Sequence, residues 1–357
     1  MLIFKNKYQP ESTAYFEPEH IYLEGLSSLS PSKEMEKLLF FDIETTGLSS
    51  KTARIYLIGC VFYQNGWNYK QWFLDDVNEE KDLLLDFYEF AKDFDTLVHF
   101  NGNTFDIPFI NDRFQKYAQH KNLNHFHSVD FYRLLKPLRN ALSLPNAKQK
   151  TFETLLEGTR KDQMDGRLLI AVYKNWLEHH DETGLSLLLL HNLEDIKNLP
   201  RLYLLLSLKE LFCEQSSRWI DSDSISAQCS DSKNYKQEFC RKLTISFCLT
   251  PDFPLHNLCF QSVKNGTHLT VRDRQLFLTV TSPDGWFHLY YSDYKNYYYL
   301  PEEDQAIHKS LASYVDKSHR QKASKDTCYS RFEATDAFLN KKEQVMSFIT
   351  HSLAYLL

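Results

Sequence analysis

The chain opens on a polar stretch with weak strand character, residues 1 to about 35. It then turns into short apolar runs separated by turn residues. The first run, LLFFDIETTG (Leu38–Gly47), is bulky and apolar apart from Asp42 and Glu44, and it ends on a Thr-Thr-Gly turn. It predicts a strand. RIYLIGCVFYQNGWNYKQWFLDD predicts two more strands around Asn65-Gly66, a dipeptide suited to the positive φ angles of a tight hairpin. EEKDLLLDFYEFAKDF has helical spacing, with Leu83, Leu84, Phe87 and Phe90 on one stripe. TLVHFNG reads as a short strand, DIPFINDRFQKYAQH as a helix beginning around Pro108, and FHSVDFYRLL as another strand. From there to about Phe212 the pattern is mainly helical. Three strands in meander order, then alternating helices and strands, predict a mixed sheet with helices on its faces.

Beyond Phe212 the pattern changes. Cys213–Asn234 is rich in Ser and Asp and reads as a linker. KLTISFCL, LCFQSVKNGTHLTV and RQLFLTVTSPDGWFHLYY then predict strands, with hairpin-type turns at Asn265-Gly266 and Pro283-Asp284-Gly285. PEEDQAIHKSLASYV predicts a helix with Pro301 at its start and acids in its first turn. No internal repeat is present. The expected organisation is a lead-in over 1–35, an α/β domain over 36–212, a linker over 213–234, and a smaller antiparallel β-rich (α+β) domain over 235–357.

Composition narrows the classes. In a chain of 357 residues, 43% hydrophobic and 25% charged content is that of a folded globular protein, and only 10 Gly and 11 Pro argue against long disordered tracts. A net charge of -6 excludes a general basic coat for nucleic acid but leaves room for a local basic patch. Seven cysteines without a C-x-x-C pair, and an N-terminus without an apolar leader core, predict reduced thiols and a cytoplasmic location. GLSLLLLHNLEDI is interrupted by His191, Glu194 and Asp195 too soon to span a bilayer, so no membrane association is expected.

The acids in the first strand demand an account. Residues two apart on a strand share a face, so Asp42 and Glu44 lie side by side while Phe41 and Ile43 face the other way. Two like charges there repel and lose hydration. A strand end closed by Thr45, Thr46 and Gly47 accounts for one acid; a hard divalent cation, Mg²⁺ or Mn²⁺, accounts for both. In LVHFNGNTFDIPFINDR a small polar turn delivers Asp106 just ahead of Pro108, where it either stabilises a helix N-terminus or joins the first two acids. In LLLLHNLEDIKNL, His191 and Asp195 are four apart and share a helix face. They form either a surface hydrogen bond or a base beside a metal ligand.

Taken together, the three stretches resemble the DEDD superfamily of 3′–5′ exonucleases, which have a ribonuclease H-like fold. FDIETTG resembles that family's first motif. NGNTFDIPFI resembles the second, especially its form in family-B DNA polymerase proofreading domains, and HNLEDI stands in the place of the third. Over roughly residues 36 to 210 the chain is especially similar to the YprB-like ribonuclease H-like proteins. The resemblance implies Asp42, Glu44, Asp106 and Asp195 as ligands of two Mg²⁺ or Mn²⁺ ions, and His191 as the residue that orients or deprotonates the attacking water. It also implies nucleic acid, with single-stranded 3′ ends, as the substrate and nucleoside 5′-monophosphates as the products. This sequence departs from the pattern at one point: His191 stands four residues before the last acid, the spacing at which family members usually carry tyrosine. The alternative is a catalytically weak ribonuclease H-like module that binds nucleic acid; all four acids are nevertheless present.

Three other features complete the reading. Lys317, Arg320, Lys322 and Lys325 either contact a phosphate backbone or decorate a solvated helix end. The tyrosines of HLYYSDYKNYYYLP either stack on bases or, as strand aromatics more often do, form core. Asp130 and Asp165 either support the acid site or lie at the surface.

Overall fold

The computed structural model describes residues 1–7, 35–118, 120–156, 160–161, 164, 166–233, 238–255 and 257–357. The chain divides into two compact units, one of residues 1–136 and 146–206, the other of residues 137–145 and 207–357.

The first unit is built on a sheet of six strands among the described residues: β1 (Leu2–Lys7), β2 (Leu38–Thr45), β3 (Ile55–Tyr63), β4 (Trp67–Phe73), β5 (Thr96–His99) and β6 (His127–Asp130). Their order is β1-β4-β3-β2-β5-β6, antiparallel from β1 through β2 and parallel from β2 through β6. The β3–β4 hairpin turns at Asn65 and Gly66, both with positive φ, a conformation their residue types accept readily. Helices follow at α1 (Glu80–Ala91), α2 (Asp106–Tyr117) and α3 (Phe131–Leu135). The short α4 (Leu138–Ala141) belongs to the second unit. The first unit resumes with α5 (Gln149–Glu153), α6 (Gly166–His179) and α7 (Glu182–Asn198).

Side chains along β2 alternate between the faces. Phe41 is fully buried and its ring lies 5.8 Å from that of Phe87 on α1, which also meets Trp72 of β4 at 5.5 Å. Asp42 points the other way, toward α7. This is a mixed sheet with flanking helices, a ribonuclease H-like arrangement. The predicted strand over FHSVDFYRLL is half strand, β6, and half helix, α3, because Asp130 ends the strand by capping the Tyr132 amide at 3.0 Å.

The second unit contains α8 in part (Leu204–Leu211) and a five-stranded antiparallel sheet of β7 (Ile220–Lys233), β8 (Phe239–Leu249), β9 (Cys259–Lys264), β10 (Thr267–Arg272) and β11 (Gln275–Ser282), in the order β7-β8-β11-β10-β9. Smaller antiparallel pairings join β12 (Phe287–Tyr290) to β16 (Tyr329–Phe332), and join β13 (Tyr297–Leu300) to β14 (Gln305–His308) and β15 (Gln321–Lys322). Helices α9 (Asp336–Leu339) and α10 (Lys342–Leu356) close the chain.

Two expectations change here. The stretch expected as a linker holds a 3-10 segment, Glu214–Trp219, and the long strand β7. Its Ser and Asp residues are tolerated because β7 is an edge strand, and pairing with β8 outweighs their low strand preference. The helix expected from Pro301 is a tight turn leading into β14. Asp304 adopts the left-handed conformation (φ 50°) and accepts hydrogen bonds from the Tyr299 and Tyr329 hydroxyls. Among the described residues, no helix is long and apolar enough to cross a membrane. All seven cysteines are unpaired thiols.

Candidate active site

The site begins at the C-terminal end of β2. The backbone amide of Ile43, between the two acids, donates to Asp106 Oδ1 at 3.2 Å, which brings the start of α2 against the strand end. Asp106 is itself buried. The turn ahead of it is held by three groups. The Gly102 amide donates to His99 Nδ1 at 3.0 Å, His99 Nε2 meets Ser128 Oγ at 2.9 Å, and Ser128 Oγ donates to Asn103 Oδ1 at 2.6 Å. A Cβ on Gly102 would lie 2.6 Å from the His99 ring, so only glycine fits. Asn101, left-handed at φ 66°, donates its amide to Asp130 Oδ1 at 2.8 Å. Asp130 is thus a buried turn anchor and helix cap, while Asp165 lies outside the described residues.

From the opposite side α7 contributes His191, Asn192 and Asp195. His191 Nε2 stands 3.6 Å from Glu44 Oε1 and 3.4 Å from Asp195 Oδ2. One donor atom from each of Glu44, His191 and Asp195 lies within 4.8 Å of the others. Asn192, fully buried, donates to Asp42 Oδ2 at 3.2 Å and accepts from Gln71 Nε2 at 2.9 Å. This bridge depends on Gly59. Asp42, Gly59 and Gln71 are aligned across β2, β3 and β4, and a Cβ on Gly59 would sit 1.9 Å from Asn192 Oδ1. The Tyr56 hydroxyl bonds Glu44, and its ring stacks on Tyr173 of α6 at 4.3 Å.

The charges are poorly compensated. Burial, then the Asp106, Glu44 and Asp195 carboxylates, hold the Asp42 carboxyl well above the usual carboxylate range, against the bond from Asn192. Burial pushes Asp106 up to about 7, with Asp130 adding to it and two backbone amides opposing. Converging carboxylates of this kind would be relieved by a hard divalent cation. The oxygen-rich donor set, with one imidazole, fits Mg²⁺ or Mn²⁺. A guanidinium does stand beside Asp195: Arg160 bonds its Oδ1 and forms a two-pronged pair with the buried Glu153 at 2.5 and 2.6 Å.

The five residues expected to form the acid site, Asp42, Glu44, Asp106, His191 and Asp195, are therefore brought together. Asn192, Gln71, Tyr56, His99 and Arg160 were not singled out. One signal was legible: an isolated glycine, Gly59, inside the apolar strand IYLIGCVFY marks a close approach by another element. Nothing local marks Arg160. In the second unit the basic residues are spread over a 3-10 turn and a strand rather than a helix end. Lys317, Lys322 and Lys325 are exposed; Arg320 bonds the Ala312 carbonyl and lies 4.9 Å from the Tyr298 ring centre. The tyrosines of that unit stack on one another, Tyr290 on Tyr355 at 3.6 Å and Tyr291 on Tyr297 at 5.2 Å.

Residues 39–207 match the family model of the RNase_H superfamily. Among solved structures, Brucella melitensis NrnC bound to pGG is similar at 14% identity and a TM-score of 0.31, covering 50% of this chain and 76% of that one. The E. coli ExoI–ssDNA complex in its zinc-bound form is similar at 10% identity and a TM-score of 0.28, covering 90% of this chain and 70% of that one. Likeness at these levels bears on neither activity nor substrate. No curated protein matches this sequence.

Proposed function

We propose that the first unit is a metal-dependent 3′–5′ exonuclease acting on nucleic acid, probed best with single-stranded ends, and releasing nucleoside 5′-monophosphates. The observation that carries this reading is the convergence of Asp42, Glu44, Asp106 and Asp195, from three separate stretches, with His191 between two of them. Asp42, Glu44, Asp106 and Asp195 would hold two Mg²⁺ or Mn²⁺ ions. When bound, such ions lower the pKa of an attacking water and relieve charge on the leaving 3′-oxygen. Asp42, on which the charges of Asp106, Glu44 and Asp195 all act, would have its charge relieved by the ions. Glu44 and Asp195, which flank His191, would share that part of the site with it, and Asp106 would complete the acid set. His191 Nε2 would accept the proton of the attacking water or fix its orientation. Asn192 would keep Asp42 Oδ2 in place, and Tyr56 would do the same for Glu44.

The test is incubation of the purified chain with end-labelled single-stranded DNA and RNA in Mn²⁺, Mg²⁺ or EDTA, with Asp42→Asn as control. Stepwise shortening from the 3′ end that EDTA and the variant both abolish is the expected result. Binding without shortening under every condition would favour the nucleic-acid-binding module instead.

A further inference from the structure

We propose that Arg160 is a positioning residue that presents one oxygen of Asp195 to the candidate metal site. The inference rests on the reading of Asp195 as a metal ligand. A free carboxylate can turn about its terminal bond and offer either oxygen. Here the two oxygens are distinguished: Arg160 Nη1 takes Oδ1, and Oδ2 is left 3.4 Å from His191 Nε2, on the side of Glu44. The arginine can do this because it is itself fixed. Its Nε and Nη2 form a fork on the two oxygens of Glu153, at 2.5 and 2.6 Å, and Glu153 is 3% exposed. Planar, paired recognition of this kind fixes a guanidinium in a way an ammonium cannot reproduce.

The support extends outward. Gln149 Nε2 donates both to Glu153 Oε1 at 2.9 Å and to the Asp195 carbonyl at 2.8 Å, so α5 and α7 are joined at the residue that matters. The amide next to Arg160, that of Lys161, donates to Glu194 Oε1 at 2.8 Å, and Arg201 Nη2 donates to the Leu156 carbonyl at 2.6 Å. Asn198 Nδ2 reaches Glu153 Oε2 at 3.3 Å. A surface ion pair needs none of this bracing. The arrangement is that of a residue behind a metal ligand, whose loss costs affinity through the ligand's orientation.

The experiment is Mn²⁺ titration of the full chain, read by calorimetry, alongside metal-free melting temperatures, for wild type, Arg160→Gln, Arg160→Lys and Asp195→Asn. Arg160→Gln should weaken Mn²⁺ binding by about 10–100-fold, with Arg160→Lys between it and wild type. Wild-type affinity in Arg160→Gln, with only a lower melting temperature, would make the pair a structural brace and overturn the proposal. Tighter Mn²⁺ binding would also overturn it, making Arg160 a competitor of the metal. Should Arg160→Gln not fold, Arg160→Lys decides, since an unchanged affinity there contradicts the need for the fork. Absence of Mn²⁺ binding by wild type would instead sink the metal-site reading itself.

Discussion

Two clusters of buried charge in the first unit are treated oppositely. Glu80, at the start of α1, is fully enclosed and every neighbour satisfies it. It accepts from the Ile55 amide at 3.0 Å, Arg113 Nε at 2.7 Å and the Tyr117 hydroxyl at 2.9 Å, and Arg113 Nη2 pairs with its second oxygen. Arg113 spends its remaining arm on the Ser50 carbonyl at 2.9 Å. On the other face of β2, four carboxylates converge: burial and the charges of Asp106, Glu44 and Asp195 raise the Asp42 carboxyl, burial raises that of Asp106, and an arginine stands on Asp195. A buried charge matched by an opposite charge braces a fold, whereas like charges gathered against one another mark a place for a cation that arrives from outside. The two sites share the same sheet, so the contrast lies in their chemistry rather than in their depth.

Breaking the paired site should cost most. Glu80→Ala leaves Arg113 uncompensated and should destabilise the protein by about 3–5 kcal/mol in denaturant titrations. Asp42→Asn removes a repelled carboxylate and should leave the metal-free melting temperature equal or higher. If both variants unfold alike, the contrast between the two sites is wrong.

Next in size is the effect on turnover. Asp42→Asn and Asp195→Asn should each slow degradation by about a hundredfold or more, and each should abolish the rise in melting temperature that Mn²⁺ gives wild type. Single-turnover assays with His191 variants should rank wild type above His191→Tyr and that above His191→Ala. Full activity in His191→Ala would reduce His191 to a helix-face residue.

A smaller effect is on pH dependence. Asp106 titrates near 7 in the folded protein, against 3.8 for an ordinary, solvated aspartate. Between those values the folded state holds the extra proton, so metal-free stability falls as pH rises. His99, lowered by burial to about 4, acts in the opposite sense: its contribution is lost as pH falls below about 6.5. The comparison must therefore be internal. The melting temperature of Asp106→Asn minus that of wild type should grow between pH 4 and pH 7, and a flat difference would contradict the burial of an ionising carboxyl.

The smallest effect concerns the second unit. If its basic residues touch phosphates, replacing Lys317, Arg320, Lys322 and Lys325 by Ala should flatten the dependence of binding on salt, by roughly 0.7–0.9 in log-log slope for each phosphate deprived of its cation. Arg320, already tied to Ala312 and Tyr298, should contribute least. An unchanged slope would assign the stretch to ordinary solvated surface.

Local pattern was enough to place the acids and the elements that bear them. A two-residue period puts Asp42 and Glu44 on one face of β2, and a four-residue spacing puts His191 and Asp195 on one face of α7. Those relations follow from covalent geometry and survive any tertiary arrangement. The Asn65-Gly66 hairpin was legible for the same reason. Packing settled what local pattern cannot encode. Pairing with β8 made a strand of the Ser- and Asp-rich stretch from Ile220, and a hairpin at Asp304 displaced the helix expected after Pro301. Asn192 reaches Asp42, and Arg160 reaches Asp195, only because α7 and α5 pack where they do; these partners are 150 and 35 residues apart in sequence. Spacing along a chain places side chains on a face, but the polar groups that hold them there come from wherever the fold brings the chain back.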